Sequence, residues 1–207
     1  MPPSSKFWDR IADRYARKPV GDEAAYQKKL QVTRGYFRPD MEVFEFGCGT
    51  GSTAIAHAPH VKHIRAVDIS SRMIEIAKGK AEADGVENVT FETAAIDGLD
   101  QPSERYEAVM AHSILHLLED REPVIAAVHR MLKPGGIFVS STACLGDSQK
   151  HFMPIVLIGK LFGFLPLVRF FTRKELERSL LDAGFRIDHL WQAGKGKSVF
   201  IVAQKAA

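Results

Sequence analysis

Apolar and polar positions change rhythm regularly along the chain. Short apolar runs at Glu42 to Phe46, His63 to Val67, Val89 to Thr93, Tyr106 to Ala111 and Gly136 to Thr142 have the length and the β-branched or aromatic content of buried strands. Between them apolar residues recur at helical spacing over Ser52 to His57, Ser71 to Asp84 and Glu122 to Leu132, the last stopped by Pro134-Gly135-Gly136. This alternation predicts an α/β domain with a mostly parallel sheet, because a parallel neighbour needs a crossover long enough to hold a helix.

The flanks follow other rules. The first forty residues predict two helices, Ser5 to Arg17 and Glu23 to Phe37, outside the strand rhythm. After Thr142 comes an apolar stretch from His151 to Phe171. Pro154, Pro166, Gly159, Gly163, Lys160 and Arg169 make it a poor membrane span, so a lid or interfacial segment is expected. Thr172-Arg173-Lys174-Glu175 has capping-box spacing and opens a helix that runs through Leu181 and stops at Ala183-Gly184. Phe185 to Trp191 and Ser198 to Ala203 read as strands joined through Gly194-Lys195-Gly196-Lys197. The expected organisation is one domain over 1–207, with a helical cap at 1–40, a core at 41–142, an apolar lid at 143–171 and a C-terminal helix and hairpin at 172–207.

Composition narrows the partners. A length of 207 residues, with 45% hydrophobic and 26% charged residues, suits a single core. The net charge of +3 is spread among acidic neighbours, so no nucleic-acid partner is expected. Cys48 and Cys144 form neither a metal-ligand pattern nor a disulfide framework. No metal site is expected, and a reducing cytoplasm is the simplest location. The run from Met1 to Arg10 meets charge before any apolar core, unlike a secretory signal.

The chemistry centres on Glu45-Phe46-Gly47-Cys48-Gly49-Thr50-Gly51, at the first strand-to-helix turn, and on Asp68, which follows the second strand. Glycines there tolerate positive φ and let backbone approach a ligand, while an acidic residue at the next strand end suits a ribose diol. Together they read as a nucleoside-containing cofactor. A dinucleotide fingerprint would need glycine at position 52, which is Ser52, and a phosphate loop would need a lysine, absent between Met41 and Val61. Asp68 has the competing reading of a cap for the following helix.

Glu-x-Gly-x-Gly-x-Gly followed by Val67-Asp68-Ile69-Ser70 resembles the first two motifs of the class I S-adenosylmethionine-dependent methyltransferases. The resemblance continues through Asp68-x-Ser70-x-x-Met73, through Tyr106 to Asp120, through Leu132-Lys133-Pro134-Gly135-Gly136, and through Phe7-Trp8-Asp9-x-x-Ala12-x-x-Tyr15 near the start. It implies a Rossmann-like seven-stranded sheet with an antiparallel last strand, an N-terminal helical cap over the cofactor mouth and an apolar insertion after strand five. The implied cofactor is S-adenosyl-L-methionine. Glu45 would face its amino group, and Phe46, Gly47, Cys48, Gly49 and Gly51 would form the cradle. Asp68 and Ile69 would meet the ribose, with Met73 packing nearby. The family's usual Gly-Asp-Ala at the adenine edge is Ala94-Ala95-Ile96 here, so the backbone of Ala95 and Ile96, or Asp97, must substitute. His112 and Ser113 would line the site from the end of strand four.

Methyl transfer from a sulfonium needs no acid for its leaving group, and positioning supplies much of the rate. For a hydroxyl or phenol acceptor, His112, His116 and His151 are candidate bases, and Tyr15 is a candidate aromatic partner for the cation. The resemblance, closest to the ubiquinone and menaquinone biosynthesis type, implies a methyltransferase acting on a small, partly hydrophobic molecule. Three alternatives stay open: a lipid or prenyl-quinone methyltransferase at a membrane surface through Phe152 to Phe171, a non-catalytic methyltransferase-like binding protein, and a dinucleotide dehydrogenase.

Overall fold

Strand β1, Glu42–Phe46, is nearly continuous in apolar residues because all but its first position are buried. The computed structural model describes residues 3–96, 102–147 and 166–207. Asp97, His151 and most of the expected apolar lid lie outside these residues. The chain divides into two compact units, Met1–Asp100 with Tyr106–Met110, and Gln101–Arg105 with Ala111–Ala207.

The first unit opens with α1, Pro3–Arg17, and α2, Glu23–Arg34. It continues through β1, α3 (Ser52–His57), β2 (His63–Asp68), α4 (Ser71–Ala83) and β3 (Val89–Thr93). It also holds most of β4, Tyr106–His112. Strand β1 pairs in parallel with β2, from Glu42↔His63 to Phe46↔Val67, and with β4, from Val43↔Ala108 to Glu45↔Met110. Strand β3 pairs in parallel with β2. Phe44 packs between Phe46 and Tyr106 in the core of this unit, with ring centroids 6.3 and 5.3 Å apart. The expected end of α2 at Phe37 moves back to Arg34, because the amide of Gly35 turns onto the carbonyls of Gln31 and Val32 and closes the helix.

The second unit contains α5, Arg121–Met131, β5, Leu132–Thr142, α6, Arg173–Asp182, β6, Phe185–Gln192, and β7, Val199–Lys205. Strand β7 runs antiparallel to both β5 and β6, with a bulge in β6 between Ile187 and His189. Among the described residues seven strands are ordered β3-β2-β1-β4-β5-β7-β6, the mostly parallel Rossmann-like sheet with an antiparallel last strand that the sequence implied. Strand β5 starts four residues earlier than its pattern suggested. Lys205 Nζ holds the carbonyl of Leu132 at 2.7 Å and Gln204 Nε2 that of Gly135 at 3.1 Å, so the Pro-Gly-Gly segment is drawn along β7. From the apolar stretch, Phe171 is described and buried, with the Arg121 guanidinium 4.3 Å from its ring centroid. Among the described residues no helix is long and apolar enough to cross a membrane.

The capping box forms as its spacing predicts. Thr172 Oγ1 accepts from the Glu175 amide at 3.2 Å while Glu175 Oε2 accepts from the Thr172 amide at 2.7 Å. Replacing Thr172 by Ala is expected to lower stability by about 1 kcal/mol in urea unfolding. The double replacement with Glu175→Ala should lose less than the sum of the two, because each group serves the other.

Candidate functional site

Three left-handed glycines shape the turn after β1: Gly47 at φ 66°, Gly49 at 54° and Gly51 at 75°. They act differently. A Cβ on Gly51 would lie 2.8 Å from Ala77 on α4 and from the ring of Phe91 on β3, so that glycine lets the loop pack against both. A Cβ on Gly49 would meet no protein atom within 4 Å, which leaves open space where a ligand can reach the backbone. The Cys48 amide donates to Val67 O at 3.1 Å and the Gly51 amide to Cys48 O at 3.0 Å, pinning the turn to β2. Lys80 Nζ, on α4, adds bonds to Thr50 Oγ1 at 3.0 Å and Ser52 Oγ at 3.1 Å.

Asp68 ends β2 and is 9% exposed. One carboxylate oxygen accepts from the Gly49 amide and the other from the Ser70 amide, both at 2.9 Å. Burial pushes its carboxyl up while those two amides pull it back. The capping and ligand-facing readings therefore coexist, since each oxygen keeps further acceptor capacity. The Ala94 amide donates to the Asp68 carbonyl at 2.9 Å, bringing the half-buried Ala95 and Ile96 to the same strand end.

Glu45 is 1% exposed, and its Oε2 has no hydrogen-bond partner among the described residues. Burial, and then the charge of Asp68, pushes its carboxyl up to about 8. Burial, Glu45 and Asp68 likewise push the Cys48 thiol upward, which makes it a poor nucleophile. Phe46 and Met73 are core side chains, and Ile69, which follows Asp68, is half-buried. A buried carboxyl with an idle oxygen, an open glycine backbone and a strand-end aspartate suit a ligand with an ammonium group and a ribose. S-adenosylmethionine has both.

The α1 helix joins this region through contacts no spacing rule announced. Asp9 Oδ1 accepts from Ser70 Oγ at 2.6 Å and from the Arg72 amide at 3.1 Å, and Asp13 binds the Arg72 guanidinium at 2.7 Å. Tyr15, half exposed on the same helix, has its phenol raised by partial burial and by the charge of Asp68, so it stays protonated at neutral pH. It is a donor or an aromatic face rather than a base. Tyr26 on α2 hydrogen-bonds Thr53 and feels the charge of Glu45; its spacing gave no signal.

In the second unit, His112 is the half-buried end of β4. Ser113 is exposed, adopts φ 57° and donates its amide to Ser141 O at 2.7 Å. His116 lies in a short 3-10 turn, Leu115–Leu117, and its carbonyl accepts from the Arg169 amide at 2.8 Å. Its Nδ1 has no partner among the described residues, and burial lowers the ring to about 4.

Residues 43–136 match the family model described as a methyltransferase domain. Over this stretch, somewhat under half of its length, the chain is similar to the methyltransferase family that its sequence motifs resemble. It is 30% identical over 110 residues to the uncharacterized methyltransferase YcgJ of Bacillus subtilis, covering 53% of this chain and 44% of that one. It is 26% identical over 179 residues to a demethylmenaquinone methyltransferase of Symbiobacterium thermophilum, covering 82% of this chain and 69% of the relative. The chain thus spans under half the length of YcgJ. Its fold matches the crystal structure of geranyl diphosphate C-methyltransferase from Streptomyces coelicolor with a TM-score of 0.77 at 15% identity, covering 100% of this chain and 98% of the other.

The raised Glu45 carboxyl gives a definite pH dependence. Its native pKa lies above the unfolded value of 4.5, so its stabilising contribution is complete below pH 4.5 and is lost as pH rises through about 8. Glu45→Gln should flatten the fall in melting temperature between pH 5 and 9; an unchanged slope would assign it to other groups. His116 has the opposite sign. Its pKa is depressed, so its contribution is complete above pH 6.5 and is lost as pH falls toward 4, and His116→Phe should reduce acid destabilisation measured by urea titration at pH 4.5 and 7.

Proposed function

We propose that this chain transfers a methyl group from S-adenosylmethionine to an oxygen, nitrogen or carbon of a small, partly apolar molecule by direct displacement. The observation that supports this reading most is Glu45, whose buried, unpartnered oxygen lies on the strand adjoining that of Asp68. A group so placed destabilises the ligand-free protein and gains a counter-charge when an ammonium binds. The name of the demethylmenaquinone methyltransferase relative favours an acceptor with apolar character. The free thiols of Cys48 and Cys144 suit a reducing, cytoplasmic setting.

The cofactor, when bound, supplies a methyl group on a positively charged sulfur. Glu45 would hold its amino group, the Gly47 to Gly51 backbone would cradle it, and Asp68 would receive the ribose hydroxyls. The Ala95 and Ile96 backbone would serve the adenine edge. Positioning supplies most of the rate, a contribution that oriented intramolecular reactions put at about 7–11 kcal/mol at its upper end. His116, neutral at physiological pH, can accept a proton but with little driving force for a group of pKa about 4. His112 is the other imidazole proposed for the acceptor side.

Calorimetric titration with S-adenosylmethionine is the direct test. Binding is expected, with Asp68→Asn weakening it about tenfold and NADH giving no heat. Proton release should accompany binding at pH 7, seen as a dependence of the heat on buffer ionisation, because the incoming ammonium ionises Glu45. No heat at millimolar cofactor would overturn the proposal, and binding without label transfer to any small molecule would favour the non-catalytic reading.

A further inference from the structure

Ser70 is fully buried between two carboxylates. Its amide donates to Asp68 Oδ1 at 2.9 Å, and its hydroxyl donates to Asp9 Oδ1 on α1 at 2.6 Å. The same hydroxyl accepts from the Met73 amide at 3.1 Å, which caps α4. A hydroxyl has one proton and a carboxylate oxygen accepts, so the Ser70 proton is committed to Asp9. Asp9 Oδ1 also accepts from the Arg72 amide at 3.1 Å, which holds it from a second side. Asp9 stands in the run from Phe7 to Tyr15 that the sequence singles out, and the displacement proposed above gives it no task. Its place carries an electrostatic cost: the charge of Asp9 adds to the rise of the buried Asp68 carboxyl. Anchoring α1 does not call for that cost, because Asp13 and Arg72 already join α1 to α4 through a 2.7 Å ion pair.

We propose that Asp9 is a positioning residue for ribose recognition: by taking the Ser70 hydroxyl proton it holds Ser70 as an amide donor and keeps the remaining lone pairs of Asp68 for the cofactor's two ribose hydroxyls. The assignment rests on the methyl-transfer reading and adds to it the residue that sets ribose over deoxyribose. An ionised carboxylate offers about four lone-pair sites. The Gly49 and Ser70 amides take two of those of Asp68, at 2.9 Å each, which leaves what a diol needs. The Ser70 hydroxyl, two residues further along the chain, is a local donor that would compete for them if it were free. Asp9 removes that competitor, and acts through Ser70 rather than on the ligand.

The test titrates the full chain calorimetrically with S-adenosylhomocysteine and with its 2′-deoxy analogue. The parent protein is expected to bind the ribose form at least about tenfold more tightly. Asp9→Ala should cut that preference to about threefold or less, because the freed Ser70 hydroxyl takes one of the lone pairs that the diol uses. Asp9→Asn should keep it, since its side-chain oxygen still accepts from Ser70. A helix anchor and nothing more predicts equal weakening of both ligands, so an unchanged preference in Asp9→Ala overturns the proposal, as does a loss in Asp9→Asn equal to that in Asp9→Ala. Hydrogen exchange of the parent protein needs no variant, so misfolding cannot protect the idea. Coupling through Ser70 is reciprocal, and the α1 amides should exchange at least about threefold more slowly at saturation with the ribose form than with the 2′-deoxy form. Equal exchange overturns the proposal. The same titrations keep the two readings apart: ribose preference that ignores Asp9 rejects the positioning role alone, and absent heat with either ligand rejects the methyl-transfer reading beneath it.

Discussion

Two carboxyl groups buried at the ends of neighbouring strands, Glu45 on β1 and Asp68 on β2, set the terms for the first unit. Burial disfavours the ionised form of each and pushes both upward, with the charge of Asp68 adding to the rise at Glu45 and that of Asp9 to the rise at Asp68. Their surroundings treat them unequally. Asp68 receives two backbone amides, one from the glycine turn and one from Ser70, and so its position organises the loop. Glu45 receives no hydrogen bond at Oε2 from any described residue. One carboxylate therefore builds the site, while the other stays unsatisfied within it.

The organising effect of Asp68 spreads through Ser70. Its amide goes to Asp68, its hydroxyl caps α4 by accepting from the Met73 amide, and the same hydroxyl donates to Asp9 on α1. Asp9 also takes the Arg72 amide, which puts a carboxylate at the positive end of the α4 dipole. A chain of hydrogen bonds thus runs from the strand end to the N-terminal helix. Loosening α1 would disturb the Ser70 cap, and disturbing Asp68 would weaken the hold on α1.

Much of this order was legible in the sequence, and the division has physical reasons. Strand runs and helical periods report burial locally, so β1, β2 and β3 were found to within a residue, and the glycine spacing reported a backbone demand that few other residues meet. The capping box was equally local. The Asp9–Ser70 and Asp13–Arg72 contacts join segments about sixty residues apart, and no spacing announces a side-chain contact set by how two helices pack. Lys80 reaching Thr50 and Ser52 is missed for the same reason. The sequence also marked Ala95 as the place where a usual carboxylate is missing, and the structure shows what that strand end retains: the Ala94 amide on the Asp68 carbonyl. That the glycines differ, Gly51 for packing and Gly49 for open space, emerges only from their neighbours.

The same pair of acidic groups bears on product release. Glu45 and Asp68 favour a cation, and methyl transfer from a sulfonium leaves a neutral thioether where a positive charge had been. The attraction between the acidic pair and the bound molecule is therefore greater before transfer than after it, by an amount that grows as the local dielectric falls. Asp68 is steadied by its two amides whichever molecule is bound, whereas Glu45 depends on the ligand for its counter-charge. Without a bound cation, burial and then the charge of Asp68 raise the Glu45 pKa to about 8. In the proposed reaction Glu45 would keep the ammonium as its counter-charge through both halves of a turnover, and only the sulfonium's share of the attraction would be lost on transfer.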